Sequence, residues 1–165
     1  MGPGGWLLWL GCAAPAVLPL PEGPDPGFDP DAASLEWAAL SDAMDAGAGF
    51  YWVDVRPGPD FLLEHVQGAL HVPFFQAEKH IDRLPADAWY VIYGGDHAEP
   101  ADRVQRVLRA AGFTQVLGTA LDFHDLADLG APTRAGDETI GGGGDAGTQG
   151  PDSGPPSVAL PDGPS

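Results

Sequence analysis

The chain has 165 residues, enough for one domain with a modest core, and its 24 glycines and 18 prolines are concentrated towards the two ends. Its formal net charge is -17, which disfavours nucleic acids and anionic membrane surfaces as partners, because both bind basic patches. The single cysteine, Cys12, excludes an internal disulfide and any metal site built from several cysteines.

Residues 1–20 form an apolar leader that is too short, and too interrupted by proline, to cross a bilayer, so no transmembrane helix is predicted. Its Leu10-Gly11-Cys12 step resembles a lipobox, in which the cysteine is lipidated after cleavage. This favours export, as a membrane-anchored lipoprotein or as a periplasmic or secreted protein. However, no basic residue precedes the apolar run, and Trp9 is unusual in a lipobox, so a disordered cytoplasmic leader is the alternative.

The next stretch, 21–34, is rich in proline, glycine and aspartate and is predicted as a linker, with Phe28 as its one anchor. Ser34 is a predicted N-cap for a helix over 35–46, and Gly47 ends that helix. At the other end, 135–165 has almost no large apolar residue and is predicted as a disordered tail. The domain is therefore expected to span 35–134.

Within that domain, buried-type strand patterns alternate with helical ones. Strands are predicted at 50–55, 69–72, 89–93 and 115–117, and helices at 60–66, 74–84, 100–111 and 120–129. The clearest helix starts at Pro100, where Glu99 and Asp102 oppose the positive end of the helix dipole. The alternation predicts an α/β fold with a doubly wound, mostly parallel sheet and helices on both faces.

Two motifs stand in the first half of this domain: Asp54-Val55-Arg56-Pro57, and the ten-residue run from Glu64 to Pro73 that reads EHVQGALHVP. They resemble the signature of the rhodanese-like (sulfurtransferase) family, which has Asp-x-Arg at a strand end and then His-x-x-Gly-Ala-x-x-x-Pro. The resemblance implies a rhodanese-like sheet for the middle of the chain. It implies structural roles for Asp54, Arg56, His65, Gly68, Ala69 and Pro73. Asp54 is expected to pair with Arg56, and His65 and His71 to bond backbone groups.

In an open α/β sheet, the functional site lies beyond the carboxyl ends of the strands, here in the loop after Tyr93. In rhodaneses, a cysteine in this loop attacks a sulfane sulfur donor and holds a persulfide. Here the loop contains Gly94, Gly95, Asp96, His97, Ala98 and Glu99. Counting forward from Tyr93 puts Gly94 at the cysteine position, and counting back from Gly112 puts Gly95 there.

Neither alignment supplies a thiol, and nucleophilic catalysis needs the activated side chain. The sequence therefore predicts a catalytically inactive rhodanese-like domain, which acts as a binding or regulatory module for a protein partner and needs no cofactor. The alternative is an enzyme. It would be a sulfurtransferase-related protein that uses a thiol from a partner, or it would have an uncharacterised activity at the loop through His97 and Asp96.

Three further features have two interpretations each. Asp96 or Glu99 could fold back onto the following helix N-terminus as an internal anion, or both could point into water. His97 could join Asp122, His124 and Asp125 as a base or a metal site, but the spacing matches no ligand motif, so no metal is predicted. Finally, Arg103, Arg106 and Arg109 could dock an acidic partner, or form a solvated face on which Asp102 pairs with Arg106.

Overall fold

The structure, a computed structural model, describes residues 16–136. Within these residues, six strands and four α-helices follow one another: α1 Trp37–Asp45, β1 Tyr51–Asp54, α2 Gly58–Leu63, β2 His65–Val66, β3 Leu70–His71, β4 Tyr90–Tyr93, α3 Glu99–Ala110, β5 Val116–Gly118, α4 Phe123–Asp128 and β6 Thr133–Arg134. The main sheet has the order β3-β1-β4-β5 and is parallel throughout. The α/β fold with a mostly parallel sheet is therefore confirmed.

The register brings the ends of the central strands together. Tyr51 pairs with Tyr90 at the start of β1 and β4, and Asp54 pairs with Tyr93 at their end. Residues that follow these strands consequently emerge side by side at the carboxyl edge of the sheet. An isolated parallel bridge between Leu35 and Thr119 continues the sheet beyond β5.

Alternate residues of the central strands supply a separate apolar core on each face, as expected for strands covered on both sides. On one face, Trp52, Val91 and Tyr93 pack with Leu40 of α1 and Leu126 of α4. On the other face, Val53, Tyr90 and Ile92 pack with Val104 and Leu108 of α3.

The predicted helix over 60–66 was wrong at its end. It stops at Leu63, because the next two residues form β2 and pair antiparallel with β6. The predicted helix start was also wrong: α1 begins at Trp37, and Ser34 does not cap it, since Leu35 is engaged with β5 through a bond from its N–H to Gly118 O of 2.9 Å.

Residues 74–84 do not form the single helix that was predicted. They form two short 3₁₀ helices, Ala77–Lys79 and Ile81–Arg83. The backbone bonds span three residues, from His80 N to Ala77 O and from Leu84 N to Ile81 O. Pro85 favours an extended backbone at the residue before it, and Leu84 has a ψ of 127°, so the helical stretch ends there.

The stretch predicted as a linker lies against the amino edge of the sheet. Phe28 is buried, and its ring meets those of Phe50 and Trp89 edge-on, with centroids 5.6 Å apart in both cases. The Gly49 N–H donates to Pro24 O at 2.8 Å. Further towards the N-terminus, in the predicted leader, Pro19 O accepts from the Tyr51 hydroxyl. The domain surface therefore includes residues that composition alone assigned to a linker.

Of the described residues, 16–136, none belongs to a helix with the length and hydropathy needed to cross a membrane. Cys12, the rest of 1–15, and 137–165 lie outside the described residues, so the predicted lipidation site and most of the predicted tail are not part of this description.

Candidate functional site

A cleft of about 560 Å³ opens at the carboxyl edge of the main sheet. Its walls come from the turn after β1, the end of α2, the loop after β4 and the start of α4. Val55, Leu63, Phe74 and Phe123 supply apolar surface, and Gly95 belongs to the wall formed by the loop. This is the location that the sheet topology predicts for a functional site.

A buried ion pair braces one side of the cleft. The Asp54 carboxylate accepts from Arg56 Nη2 at 2.7 Å and from Arg56 Nε at 3.1 Å. Arg56 Nη2 also donates to Glu64 O at 2.6 Å, which ties the end of β1 to the end of α2. The expected Asp54–Arg56 pair is thus present, and it fixes two walls of the cleft relative to each other.

The guanidinium of Arg56 is committed to this brace. Burial disfavours its charged form, but the hydrogen bond and the charge of Asp54 outweigh burial and raise the pKa of Arg56. Its guanidinium carbon lies 4.0 Å from the centre of the Phe123 ring, a cation–π contact. Because Asp54 is fully buried beside it, the pair adds no net charge to the cleft.

The histidines of the family signature lie on either side of Phe61. The rings of His65 and Phe61 are stacked with centroids 3.9 Å apart, and those of His71 and Phe61 with centroids 4.3 Å apart. His65 Nδ1 bonds Phe61 O at 2.9 Å, and His71 Nε2 bonds Arg56 O at 3.1 Å. Both histidines thus bond backbone carbonyls, while buried His65 Nε2 has no hydrogen-bond partner in the structure.

The remaining signature residues shape the turn between β2 and β3. Gly68 has a φ of 77°, which favours glycine, and a β-carbon there would meet no atom within 4 Å. Ala69 is buried and donates its N–H to Val66 O at 3.0 Å, while Pro73 follows β3 and accepts from Gln76 N. These residues hold the backbone behind the cleft and do not line it.

The two glycines at the predicted cysteine position differ in their access to the cleft. Gly94 is buried and is not part of the cleft lining, and an added β-carbon would meet Val55 Cγ2 at 3.5 Å, His97 O at 3.7 Å and Ala101 Cβ at 4.0 Å. Gly95 lines the cleft, and an added β-carbon would meet Arg56 Cδ at 3.8 Å. A side chain at 95 would therefore reach the cleft more directly than one at 94.

The rest of the loop is exposed. Asp96, His97, Ala98 and Glu99 all face solvent. The first turn of α3 has no side-chain cap, and neither acidic side chain bonds the backbone there. In this structure, therefore, Asp96 and Glu99 do not fold back as an internal anion. No hydrogen bond joins Asp96 to His97.

The proposed histidine and aspartate group is only partly assembled. His97 and His124 line the cleft, but Asp122 and Asp125 cap α4: the Asp125 N–H donates to Asp122 Oδ1 at 2.8 Å, and the Asp122 N–H donates to Asp125 Oδ2 at 3.3 Å. Across residues 16–136, no cluster of three or more histidine, cysteine, aspartate or glutamate side chains is arranged to hold a metal ion.

The three arginines of α3 are exposed but differ in their hydrogen-bond partners. Arg103 and Arg106 are exposed, and no ion pair forms between Asp102 and Arg106. Arg109 donates from Nη2 to Val116 O at 3.0 Å and to Pro30 O at 3.3 Å, so it links α3 to β5 and to the N-terminal segment. Docking of an acidic partner through Arg103, Arg106 and Arg109 stays a prediction.

Several residues of the cleft escaped the sequence analysis. Asp60, Leu63, Phe74 and Phe123 line it although they come from three separate segments.

Tyr93 was assigned only to a strand, yet its hydroxyl accepts a hydrogen bond from the Val66 N–H at 3.1 Å and so joins β4 to β2. Burial, and then the charge of Asp54, raise the pKa of Tyr93, so its phenol stays neutral. Pro57, Gly58 and Pro59 were the local signal that the chain bends after β1.

Comparison with known proteins identifies this architecture. The model of the rhodanese-like domain family matches residues 36–119. Among solved structures, a rhodanese-like domain from Anabaena is 20% identical with a TM-score of 0.57, covering 78% of this chain and 99% of its own. A protein from Lactobacillus plantarum is 21% identical with a TM-score of 0.56, covering 62% and 88% respectively.

At these identities, the solved structures establish a shared fold alone. Among curated proteins, none matches the sequence significantly. The family model, however, covers just over half of the chain, and it includes β1 with Asp54, the signature after α2 and the loop after β4. The chain is a member of the rhodanese-like domain family.

Proposed function

We propose that this chain is a rhodanese-like domain that transfers no sulfur by itself and serves as a binding or regulatory module. The observation that carries the proposal is the loop after β4, where Gly95 faces the cleft without a side chain. A persulfide needs a nucleophilic sulfur, and residues 94–99 contain none.

Charge around the cleft supports the same proposal. Asp60, Glu64 and Asp96 are exposed in its lining, and the one guanidinium there is paired with Asp54. Sulfur donors of the family are anions, as the resemblance implies, and such a lining repels them. Glu99 and Asp102 in the first turn of α3 further reduce the positive potential of the helix N-terminus.

A thiosulfate:cyanide sulfurtransferase assay tests the proposal. We expect the unmodified chain to form thiocyanate no faster than the uncatalysed mixture does. In a Gly95→Cys variant on a Cys12→Ser background, the new thiolate is expected to attack the sulfane sulfur of thiosulfate and release sulfite, but slowly, because the acidic lining repels the donor; the mass of the protein detects the persulfide. The matched control is Ala98→Cys, which places an exposed thiol on the same loop but outside the cleft lining.

Thiocyanate formation by the unmodified chain would overturn the proposal. Persulfide formation in Gly95→Cys, but not in Ala98→Cys, would show that the fold still activates a thiol at the family position. Equal labelling of the two variants would show that any exposed thiol reacts, and that the loop has lost its activating geometry. The comparison with Gly94→Cys tests which glycine occupies the family position.

The runner-up function is an enzyme that borrows a thiol. It is favoured by the openness of the cleft next to Gly95, through which a partner's cysteine could enter. Its test is the same assay with the unmodified chain added to small thiols such as dithiothreitol. A rate above that of the thiols alone would favour this function over the binding module.

We also propose that the chain is exported and lipidated at Cys12, on the strength of Leu10-Gly11-Cys12. Mass spectrometry of the protein from its native host tests this. An intact N-terminus without acylation would contradict it, and a mature chain beginning at lipidated Cys12 would support it.

A further inference from the structure

We infer that the carboxyl-edge cleft binds a short peptide segment in which lysine or arginine stands beside large apolar residues. The inference rests on the proposed function, because it assigns a partner class to the same site. Three observations carry it: the apolar walls, the sign of the charge around them, and the exposed leucine at the end of α2.

The walls of the cleft are more apolar than an exposed enzyme pocket for small anions requires. Val55 and Phe123 form its buried side, and Phe74 covers another part. Leu63 also lines it, with 77% of its surface exposed. A leucine so exposed at the mouth of an apolar cleft offers surface that an apolar side chain of a partner would cover, and that burial is favourable.

The charges around the cleft indicate which polar residues a bound peptide carries. Asp60 and Asp96 line the cleft from two different walls, α2 and the loop after β4, and both are exposed. Arg56, which also lines the cleft, already has its charge balanced by Asp54 at 2.7 Å and does not offset them. A cationic segment that crosses the cleft would therefore meet a carboxylate on each of these two walls.

The same charges argue against two other occupants. The chain's own residues 137–165 contain aspartate and glutamate but no lysine or arginine, so the cleft would repel them. A second copy of the chain carries a net charge of -17 as well, which opposes self-association. A basic segment with apolar side chains is favoured, because the walls of the cleft are apolar and the exposed carboxylates around it are negatively charged.

Fluorescence anisotropy with a labelled peptide tests the inference. The probe is a short peptide that alternates lysine and arginine with leucine and phenylalanine. One matched peptide replaces each basic residue with glutamate, and a second replaces each apolar residue with alanine. We expect saturable binding of the first peptide, and at least tenfold weaker binding of the other two.

Variants of the protein locate the binding surface. Asp60→Asn combined with Asp96→Asn is expected to weaken binding about five- to tenfold at low salt, because each exposed charge pair contributes little. Asp42→Asn combined with Asp45→Asn on α1 removes the same charge outside the cleft lining and should leave binding within twofold.

Leu63→Ser is expected to weaken binding about threefold or more, whereas Leu129→Ser, which is 46% exposed and not in the lining, should not weaken it.

Equal loss in the cleft pair and in the α1 pair would overturn the inference, because it would show attraction by net charge alone. Binding of all three peptides alike, binding of none, or dimerisation that Leu63→Ser abolishes would overturn it too. None of these results would alter the sulfurtransferase assay, so the proposed function and this inference can fail separately.

Discussion

The two edges of the main sheet are built in opposite ways. At the amino edge, where β1 and β4 begin, Phe28 closes over Phe50 and Trp89, and the chain before it bonds Gly49 and Tyr51. At the carboxyl edge, where the same strands end, the structure leaves an open cleft whose rim consists of exposed loop residues.

The two edges differ in how their polar groups are bonded and how far they are exposed. The amino edge uses backbone bonds and aromatic packing, together with one guanidinium, that of Arg109, which donates to Val116 O and Pro30 O. The carboxyl edge carries a buried ion pair behind it and acidic residues around it. Both edges contribute to stability, whereas the open cleft at the carboxyl edge also leaves surface that, under the proposed function, serves recognition. Variants on each edge should separate these contributions.

The largest expected effect comes from the ion pair behind the cleft. Replacing Asp54 with alanine leaves the buried guanidinium of Arg56 without its partner, and loss of one member of a buried pair costs about 3–5 kcal/mol. Urea denaturation measures the free energy of unfolding. Asp60→Ala is the control, since this exposed carboxylate interacts favourably with the N-terminus of α2 and with the charge of Arg56, worth about 1 kcal/mol or less. Similar losses for both variants would contradict a structural role for the pair.

At the amino edge, Phe28→Ala should cost about 3 kcal/mol, because it removes a buried ring that contacts two others. Phe75→Ala is the matched control, with 51% of the side chain exposed, and its effect should stay below about 1 kcal/mol. The peptide affinity of Phe28→Ala, measured where the variant remains folded, should not change. A small effect on stability would mean that the N-terminal segment is a linker after all, as its composition suggested.

Alkaline pH should destabilise the protein through two buried tyrosines. Burial raises the pKa of both Tyr93 and Tyr90 above the ordinary value of 10.0, with the charge of Asp54 adding to the effect on Tyr93. Above about pH 10, the unfolded chain therefore loses protons that the folded chain keeps, and the free energy of unfolding falls with rising pH. Below that pH the stabilisation is complete.

The slope is expected to approach about 1.4 kcal/mol per pH unit for each of these tyrosines. Tyr93→Phe should reduce this slope, because it removes one of the two titrating hydroxyls. The variant also loses the hydrogen bond that this hydroxyl accepts from the Val66 N–H. The measurement is the free energy of unfolding at a series of alkaline pH values. An unchanged slope in the Tyr90→Phe, Tyr93→Phe double variant would show that other groups cause the alkaline loss.

The sequence predicted the parts of the fold that depend on local pattern. The apolar runs that became β1 and β4, and the Pro100 start of the longest helix, were visible because each signal lies within a few residues. β2 and β6 were missed because each has two residues, and their pairing joins positions far apart in the chain. The 3₁₀ helices were missed because their apolar spacing also fits an α-helix.

In the candidate site too, features with a local sequence signal were predicted, and features that depend on tertiary packing were not. The loop after β4 followed from topology and the family signature, so its residues were named in advance. Leu63 and Phe74 were not predicted as cleft residues. They line the cleft because separate segments of the chain pack together, and no local sequence pattern indicates that packing. Arg109 was grouped with Arg103 and Arg106 by helical spacing, yet its bonds to Val116 O and Pro30 O depend on tertiary contacts.

Arg109 provides the smallest and most specific test of the amino-edge assembly. Its guanidinium donates to a strand carbonyl and to the segment that leads from Phe28 to α1, so Arg109→Ala should cost about 1 kcal/mol. Arg103→Ala removes the same charge from the same helix without such bonds and should change stability by less than about 0.5 kcal/mol. If the two variants are equally stable, Arg109 belongs with its neighbours as a free surface cation, and the three-residue docking strip becomes the better interpretation of α3.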